Sequence, residues 1–98
     1  MDLPKLWGLI RADLAKARDF LPNHAASHKV IAQYQELLVH NELELACDML
    51  EAYAEDQEVS KEFWFSLRDA AARMNLSDRV RRYEEYAENF QPDSGSAA

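Results

Sequence analysis

Cysteine, glycine and proline are all scarce in this chain, which contains one Cys, two Gly and three Pro among 98 residues. The single cysteine, Cys47, excludes an internal disulfide framework and is compatible with a reducing cytosol. Long stretches without glycine or proline argue against an architecture of strands and turns and favour helices. The chain also has no Gly-rich phosphate loop, no nucleophile elbow and no metalloprotease motif, so we expect no catalytic site, no cofactor and no enzyme activity.

Basic residues are the minority charge: 11 Lys and Arg stand against 18 Asp and Glu, which gives a net charge of −7. Nucleic acids and anionic membranes both carry phosphate charge, so we expect neither as a partner. A basic protein is the partner that this charge suits, although a negative charge also serves solubility alone. Arg11 and Asp13 interrupt the apolar N-terminal stretch and no secretory signal is visible, so the expected location is the cytoplasm.

Apolar residues recur at the i, i+3, i+4, i+7 spacing of helices that bury one face. The spacing predicts a first helix that starts after Asp2, its expected N-cap, and ends at Pro22. It predicts a second helix from about Ala25 to Val39 and a third from roughly Glu42 to Asp56.

Residues typical of helix caps mark the remaining helix ends. Asn41, with Glu44 three residues later, resembles a capping box at the start of the third helix. Ser60 is the expected N-cap of a fourth helix, and Asn75 is expected to end that helix in a left-handed conformation. Ser77 is the expected N-cap of a fifth helix.

These helices predict an all-α fold. We expect a compact bundle of about five amphipathic helices with short loops, arranged as consecutive antiparallel helical hairpins. With 48% hydrophobic residues, residues 1–91 can fill the core of a single domain. Residues 92–98 follow Pro92, contain nothing to bury and are expected to be a disordered tail.

One face of the predicted third helix carries a continuous row of acids, which we call the acidic stripe. Its members follow the i, i+4, i+7, i+11, i+14 spacing and are Glu44, Asp48, Glu51, Glu55 and Glu58. Neighbouring like charges cost about 0.2–0.5 kcal/mol per pair on a helix surface. A row of this kind, with no interleaved lysine, therefore indicates a surface that binds a partner.

Two other interpretations of the acidic stripe stay open at this stage. It can be an ordinary solvated helix face, which is what most runs of charge are. Some of its acids can instead pair with Arg68, Arg73 or Arg79 of the last two helices.

The run Phe63-Trp64-Phe65 adds an aromatic candidate, because three consecutive residues cannot all face the core of a helix. Phe65 is expected to be exposed and to anchor an interface, or else to pack under the first helix or the tail. The predicted partner-binding residues are Glu44, Asp48, Glu51, Glu55, Asp56, Glu58 and Phe65.

His24 and His28 have the i, i+4 spacing that can hold a metal ion from one helix face. A zinc site needs three or four ligands, and no second pair with ligand spacing exists. We therefore interpret the two histidines as surface residues and predict no metal site. Cys47 is interpreted as a small packing residue.

The order of residues from Asn41 to Leu76 resembles the Maf-type immunity family of bacterial polymorphic toxin systems. NELELACDMLEAYAE is followed by VSKEFWFSLRDAAARMNL. The pattern is a short acidic segment, an Ala-x-x-x-Leu helix, a linker with a Ser cap and a helix that ends in Met-x-Leu. Here these parts are Glu42–Glu44, Ala46–Leu50, Val59–Ser60 and Met74–Leu76.

The resemblance implies a cytoplasmic immunity protein that neutralises a cognate toxin, often a nuclease, by binding it. A nuclease must be basic to hold phosphate, and an acidic surface can cover such a site and speed association. The alternative function is a helical-hairpin adaptor, or a scaffold that self-associates as a homodimer without a toxin partner.

Overall fold

The structure is a computed structural model that describes residues 2–22 and 28–89. Those residues form five α-helices and no strand, which confirms the all-α prediction. The predicted tail, His24 and the predicted start of the second helix at Ala25 lie outside the described residues. The helices are α1 (Leu3–Asp19), α2 (Lys29–Val39), α3 (Leu43–Ala54), α4 (Lys61–Arg73) and α5 (Ser77–Glu88).

Four predicted N-caps have different outcomes. Ser60 caps α4 as predicted, because its Oγ accepts a hydrogen bond from the N–H of Phe63 at 3.4 Å. Asp2 has the N-cap position of α1, but its side chain makes no capping hydrogen bond. The predictions for Asn41 and Ser77 are wrong. Ser77 is the first residue of α5, one position past the N-cap, and Asn41 has a different role.

Asn41 and Asn75 are the two non-glycine residues with positive φ in the described chain, at 58° and 61°. Each follows the last turn of a helix, and each starts a reversal of the chain. The N–H of Asn41 donates to the carbonyl of Leu38 at 3.0 Å, and the next N–H donates to the carbonyl of Leu37 at 2.9 Å. The same pair of bonds ends α4 after Asn75. This arrangement is the Schellman motif, and it closes the hairpins α2–α3 and α4–α5.

A side chain from α1 holds the first of these reversals in place. The Arg11 guanidinium donates to the carbonyl of Leu38 and to Oδ1 of Asn41 at 3.0 Å. A cation at a helix C-terminus also interacts favourably with the helix dipole. Arg11 therefore fastens the α2–α3 hairpin to α1.

The core forms around α4, which packs against α1 on one side and α5 on the other. α3 contacts α1 and α4 as well as its hairpin partner α2. Leu14, Leu50, Phe63, Leu67 and Tyr83 are fully buried where these helices meet. None of the helices in the described residues is both long and apolar enough to span a membrane.

Glycine substitution should separate the roles of the two left-handed asparagines. Asn75→Gly should change the free energy of unfolding by less than about 0.5 kcal/mol, because glycine adopts positive φ without strain. Asn41→Gly should lower it by about 1 kcal/mol, because the bond to Arg11 is lost. Urea denaturation measures both changes. Equal effects of the two glycine variants would show that the Arg11 contact contributes nothing.

Candidate functional site

The acidic stripe faces α5. Six polar contacts between side chains join α3 and its C-cap to α5. Three of them link residues 31 apart in sequence: Asp48 to Arg79, Glu51 to Arg82 and Glu55 to Tyr86. Because these three contacts advance in the same direction along both helices, α3 and α5 run parallel. The sequence intervals match as well, since the acids and their partners are spaced by the same three and four residues.

Glu51 makes the most extensive of these contacts. Its side chain is 9% exposed, and its two carboxylate oxygens accept from Nε and Nη2 of Arg82 at 2.7 and 2.9 Å. The hydroxyl of Tyr83 donates to the same carboxylate at 3.0 Å. A bidentate guanidinium–carboxylate pair with a third donor satisfies a charge that burial would otherwise make costly. The hydrogen bonds that Arg82 donates to the Glu51 carboxylate raise the pKa of Arg82 above its ordinary value.

Asp48 and Glu44 share a second cation. Arg79 donates to the two oxygens of Asp48 from Nε at 2.8 Å and from Nη2 at 3.0 Å. The same Nη2 lies 3.1 Å from Oε2 of Glu44, whose side chain is 55% exposed. The hydrogen bond to Asp48 raises the pKa of Arg79 above its ordinary value. Glu44 is thus only partly neutralised and keeps an accessible carboxylate.

The acids at the end of α3 have a different environment. Glu55 is the C-cap residue and accepts a hydrogen bond from the Tyr86 hydroxyl at 3.2 Å. Asp56 and Glu58 lie in the linker after the helix, and all three side chains are exposed. No Lys or Arg in residues 2–22 and 28–89 forms an ion pair with them. We call Glu55, Asp56 and Glu58 the terminal acids.

Two expectations about the acidic stripe are therefore corrected. Glu58 does not belong to the helix, because α3 ends at Ala54. The whole length of the stripe is also not available to a partner, because Asp48 and Glu51 form ion pairs with arginines of α5. The partner-binding role of its residues stays a prediction.

Of the three arginines proposed as internal partners, Arg79 pairs with the stripe. Arg68 instead pairs with Asp69 and Glu84, and Arg73 pairs with Asp13 at 2.6 Å. Arg82 was not foreseen. A signal for it exists in the sequence, because Arg79 and Arg82 are three residues apart, as are Asp48 and Glu51.

Two further polar groups, the hydroxyl of Tyr83 and the thiol of Cys47, lie between the ion pairs and the core. The Tyr83 hydroxyl lies 3.5 Å from Sγ of Cys47, and both residues are fully buried. Burial raises the pKa of the Cys47 thiol to about 12, and burial likewise raises the pKa of Tyr83 above its ordinary value. A thiol that stays protonated is a poor nucleophile, so Cys47 acts as a packing residue, in line with its interpretation from sequence.

Phe65 is exposed, as one of the two sequence interpretations expected, with 37% of its surface accessible. The Arg68 guanidinium lies 4.9 Å from the centre of its ring, within cation–π range. Trp64, its neighbour, is buried and packs against Phe63 and Tyr86. The role of Phe65 in an interface stays a prediction.

Of the predicted pair His24 and His28, the structure describes His28, which has a local role. Nδ1 of His28 accepts the N–H of Val30 at 3.1 Å, which caps the N-terminus of α2. Its ring also packs edge-on against Tyr53 with the ring centres 4.8 Å apart. Within the described ranges, no group of three or more His, Cys, Asp or Glu side chains is placed to hold a metal ion.

A groove that sequence reasoning missed lies where α1, the start of α3 and the end of α4 meet. Its volume is about 580 Å³. Two exposed apolar side chains line it, Trp7 at 38% and Leu45 at 49% accessibility. Glu44 of the acidic stripe also lines it, so the stripe begins at this groove. The remaining lining residues are Leu6, Ile10, Asn41, Glu42, Leu43, Arg73, Met74 and Asn75.

A double-mutant cycle should show that the bidentate Glu51–Arg82 pair contributes more than a pair in which both partners are exposed. For Glu51→Gln and Arg82→Gln we expect a coupling free energy of about 1 kcal/mol, because the bond is bidentate and the Glu51 side chain is 9% exposed, although Arg82 is 40% exposed. The matched cycle is Arg68→Gln with Asp69→Asn, an exposed pair that should give less than about 0.5 kcal/mol. Thermal or urea unfolding of the wild type and the six variants measures both coupling free energies, and similar couplings would contradict the assignment.

Stability should fall at alkaline pH. Burial raises the pKa of Tyr34 to about 12 from 10.0, and burial raises the pKa of Cys47 to about 12 from 9.0. The unfolded chain therefore releases these protons at lower pH than the folded chain does. The stabilisation is complete below pH 9 and is lost as pH rises to about 12.

Each buried group should contribute a slope of up to about 1.4 kcal/mol per pH unit. Tyr34→Phe removes one such group and should make the pH dependence shallower by that amount. Tyr86→Phe is the control, because Tyr86 is only half-buried, and it should change the slope less. Urea midpoints between pH 8 and 11 decide the point. An unchanged slope in Tyr34→Phe would mean that Tyr34 titrates normally.

No protein-family model, no curated protein and no solved structure matches this chain. Its function is therefore argued from its own residues and contacts.

Proposed function

We propose that this protein is a bacterial immunity protein that binds and neutralises a basic toxin domain, of the nuclease type, through an acidic surface. The observation that carries the proposal is the contrast between two parts of one acidic segment. Asp48 and Glu51 are neutralised by α5, whereas the terminal acids are exposed and have no cationic partner among the described residues. An internal role accounts for the first group and leaves the second unexplained.

The position of the terminal acids makes the electrostatic potential around them more negative. They lie at the C-terminal end of α3, where the helix dipole places a partial negative charge. A stable fold would gain from a lysine or arginine at this place, since cations there are favourable by about 0.3–1 kcal/mol each. Three acids instead concentrate negative potential at one end of the helix. Such a patch attracts a basic surface and raises the rate of association.

A nuclease toxin is a suitable target on electrostatic grounds. Its active site must attract phosphate and is therefore lined with Lys and Arg. The exposed carboxylates of the terminal acids can occupy the same positions as phosphates. The resemblance of residues 41–76 to the Maf-type immunity family supports the same class of partner.

The seven predicted binding residues divide into two roles under this proposal. Glu44, the terminal acids and Phe65 are exposed and contact the toxin. Asp48 and Glu51 act indirectly, because their pairs with Arg79 and Arg82 hold α5 against α3 and so position the surface.

Charge reversal of the terminal acids tests the proposal. The variant Glu55→Lys/Asp56→Lys/Glu58→Lys should associate with the basic toxin domain encoded beside its gene at least about tenfold more slowly at low salt. In about 1 M salt the difference should vanish, because screening then acts over roughly 3 Å. Stopped-flow or surface-plasmon measurements give the association rate.

A second triple variant controls for net charge. Asp19→Lys/Glu36→Lys/Asp78→Lys changes the charge by the same amount at exposed positions on α1, α2 and the start of α5. It should slow association by less than about threefold. Equal slowing by the two variants contradicts a localised surface, and a neighbouring gene without a basic domain contradicts the immunity function. A stable homodimer that buries Phe65 would instead favour the self-associating scaffold.

A further inference from the structure

The groove between α1, α3 and α4 combines an apolar floor with exposed apolar walls. Ile10 and Leu43 are buried at its base, and Leu6 and Met74 are partly buried beside the core. Large side chains exposed around a concave surface are the usual anchor points of a protein interface. The volume of about 580 Å³ lies within the range of roughly 300–1,000 Å³ that binding pockets have. The groove can therefore hold one large apolar side chain together with flanking chain.

The charges at the groove determine what kind of chain fits. Glu42 and Glu44 lie at the start of α3, and both are exposed. The single cation among the lining residues is Arg73, and its Nε is already bound to Asp13 at 2.6 Å. Glu42 forms no ion pair among the described residues, and Glu44 pairs with Arg79 but stays 55% exposed. A ligand that enters the groove therefore meets a net negative charge. Electrostatic complementarity requires a cationic ligand.

The backbone at the start of α3 adds hydrogen-bond donors. Glu42 has the N-cap position but makes no capping hydrogen bond with its side chain. The N–H groups of residues 43–45 find no acceptor within the described chain. Unpaired N–H groups at a helix start can donate hydrogen bonds to a carbonyl oxygen of a ligand. A peptide can supply such a carbonyl next to a cationic side chain, whereas a simple amine cannot.

We propose that this groove is the docking site for a basic segment of the protein partner, one that inserts a single large apolar side chain between Trp7 and Leu45. A Lys or Arg next to that side chain binds Glu42 and Glu44. The identity of the partner rests on the proposed function, and the groove supplies the apolar centre that the terminal acids lack. Interfaces generally consist of an apolar centre with a polar rim.

A second copy of this chain is a poorer occupant on charge. Each copy carries a net charge of −7, so self-association brings like charges together. A basic segment of another protein meets no such repulsion.

Selection from a displayed library of random 12-residue peptides against the full chain tests the proposal. The enriched peptides should carry an excess of Lys and Arg around one Trp, Phe or Leu. A synthetic peptide of that kind should bind more weakly as salt rises. It should also shift the fluorescence of Trp7, which is 38% exposed, while Trp64 at 6% is shielded.

Two exposed positions supply the matched variants. Leu45→Asp lies in the groove, and Val39→Asp lies on the exposed end of α2 outside it. We expect Leu45→Asp to weaken peptide binding at least about tenfold and Val39→Asp to change it less than about twofold. Both side chains are largely exposed, at 49% and 78%, so both variants should fold.

Several results would overturn the proposal. Enrichment of acidic or neutral peptides would contradict the charge argument, and binding that ignores Leu45→Asp would place the peptide elsewhere. A dimer that Leu45→Asp dissociates would assign the groove to a second copy. If Leu45→Asp binds the toxin normally while the terminal-acid variant does not, the groove proposal fails and the proposed function stands. If peptides occupy the groove but no toxin binds, the proposed function fails alone.

Discussion

Paired side chains between α3 and α5 link the two helical hairpins of this fold. α5 belongs to the α4–α5 hairpin and α3 to the α2–α3 hairpin, so the pairs Asp48–Arg79 and Glu51–Arg82 join one hairpin to the other. Tyr83 is inserted beneath them and is fully buried. Guanidinium forks need matched geometry at both oxygens, so these pairs fix the register of the helices as well as their proximity. The surface at the end of α3 depends on that register.

The helices themselves follow from periodicity and could be predicted from sequence. The prediction for Ser60 was correct because serine is a preferred N-cap. The prediction for Asn75 was correct because no Glu or Gln stands three residues later to suggest a capping box there, which left the helix end as its role. Asn41 was wrong because asparagine suits both an N-cap and a left-handed turn, and a capping-box pattern with Glu44 favoured the first. Arg11, thirty residues away, stabilises the second with its bond to Oδ1. Sequence patterns that span a few residues cannot reveal a contact between residues thirty positions apart.

The acidic stripe shows the same limit in electrostatic form. Helix rules compare each charge with neighbours three and four residues away, and by that comparison the stripe is unfavourable. Its partners lie 31 residues further on, at intervals that match those of the acids. The penalty is offset for Asp48 and Glu51, and it persists for the terminal acids. Exposure of Phe65 was one of the two placements predicted for it, because three adjacent aromatic residues cannot share one face of a helix. The groove was not predicted from sequence, because its walls come from three helices.

The buried position of Cys47 has a consequence for where the protein can work. Oxidants and disulfides react with the thiolate form of an accessible cysteine. Burial keeps this thiol protonated, with its pKa raised to about 12, and shields its sulfur beneath Tyr83. The chain has no other cysteine, so an oxidising medium has no reactive sulfhydryl to attack in the folded protein. The single cysteine is compatible with a reducing cytosol but does not by itself restrict the folded protein to one.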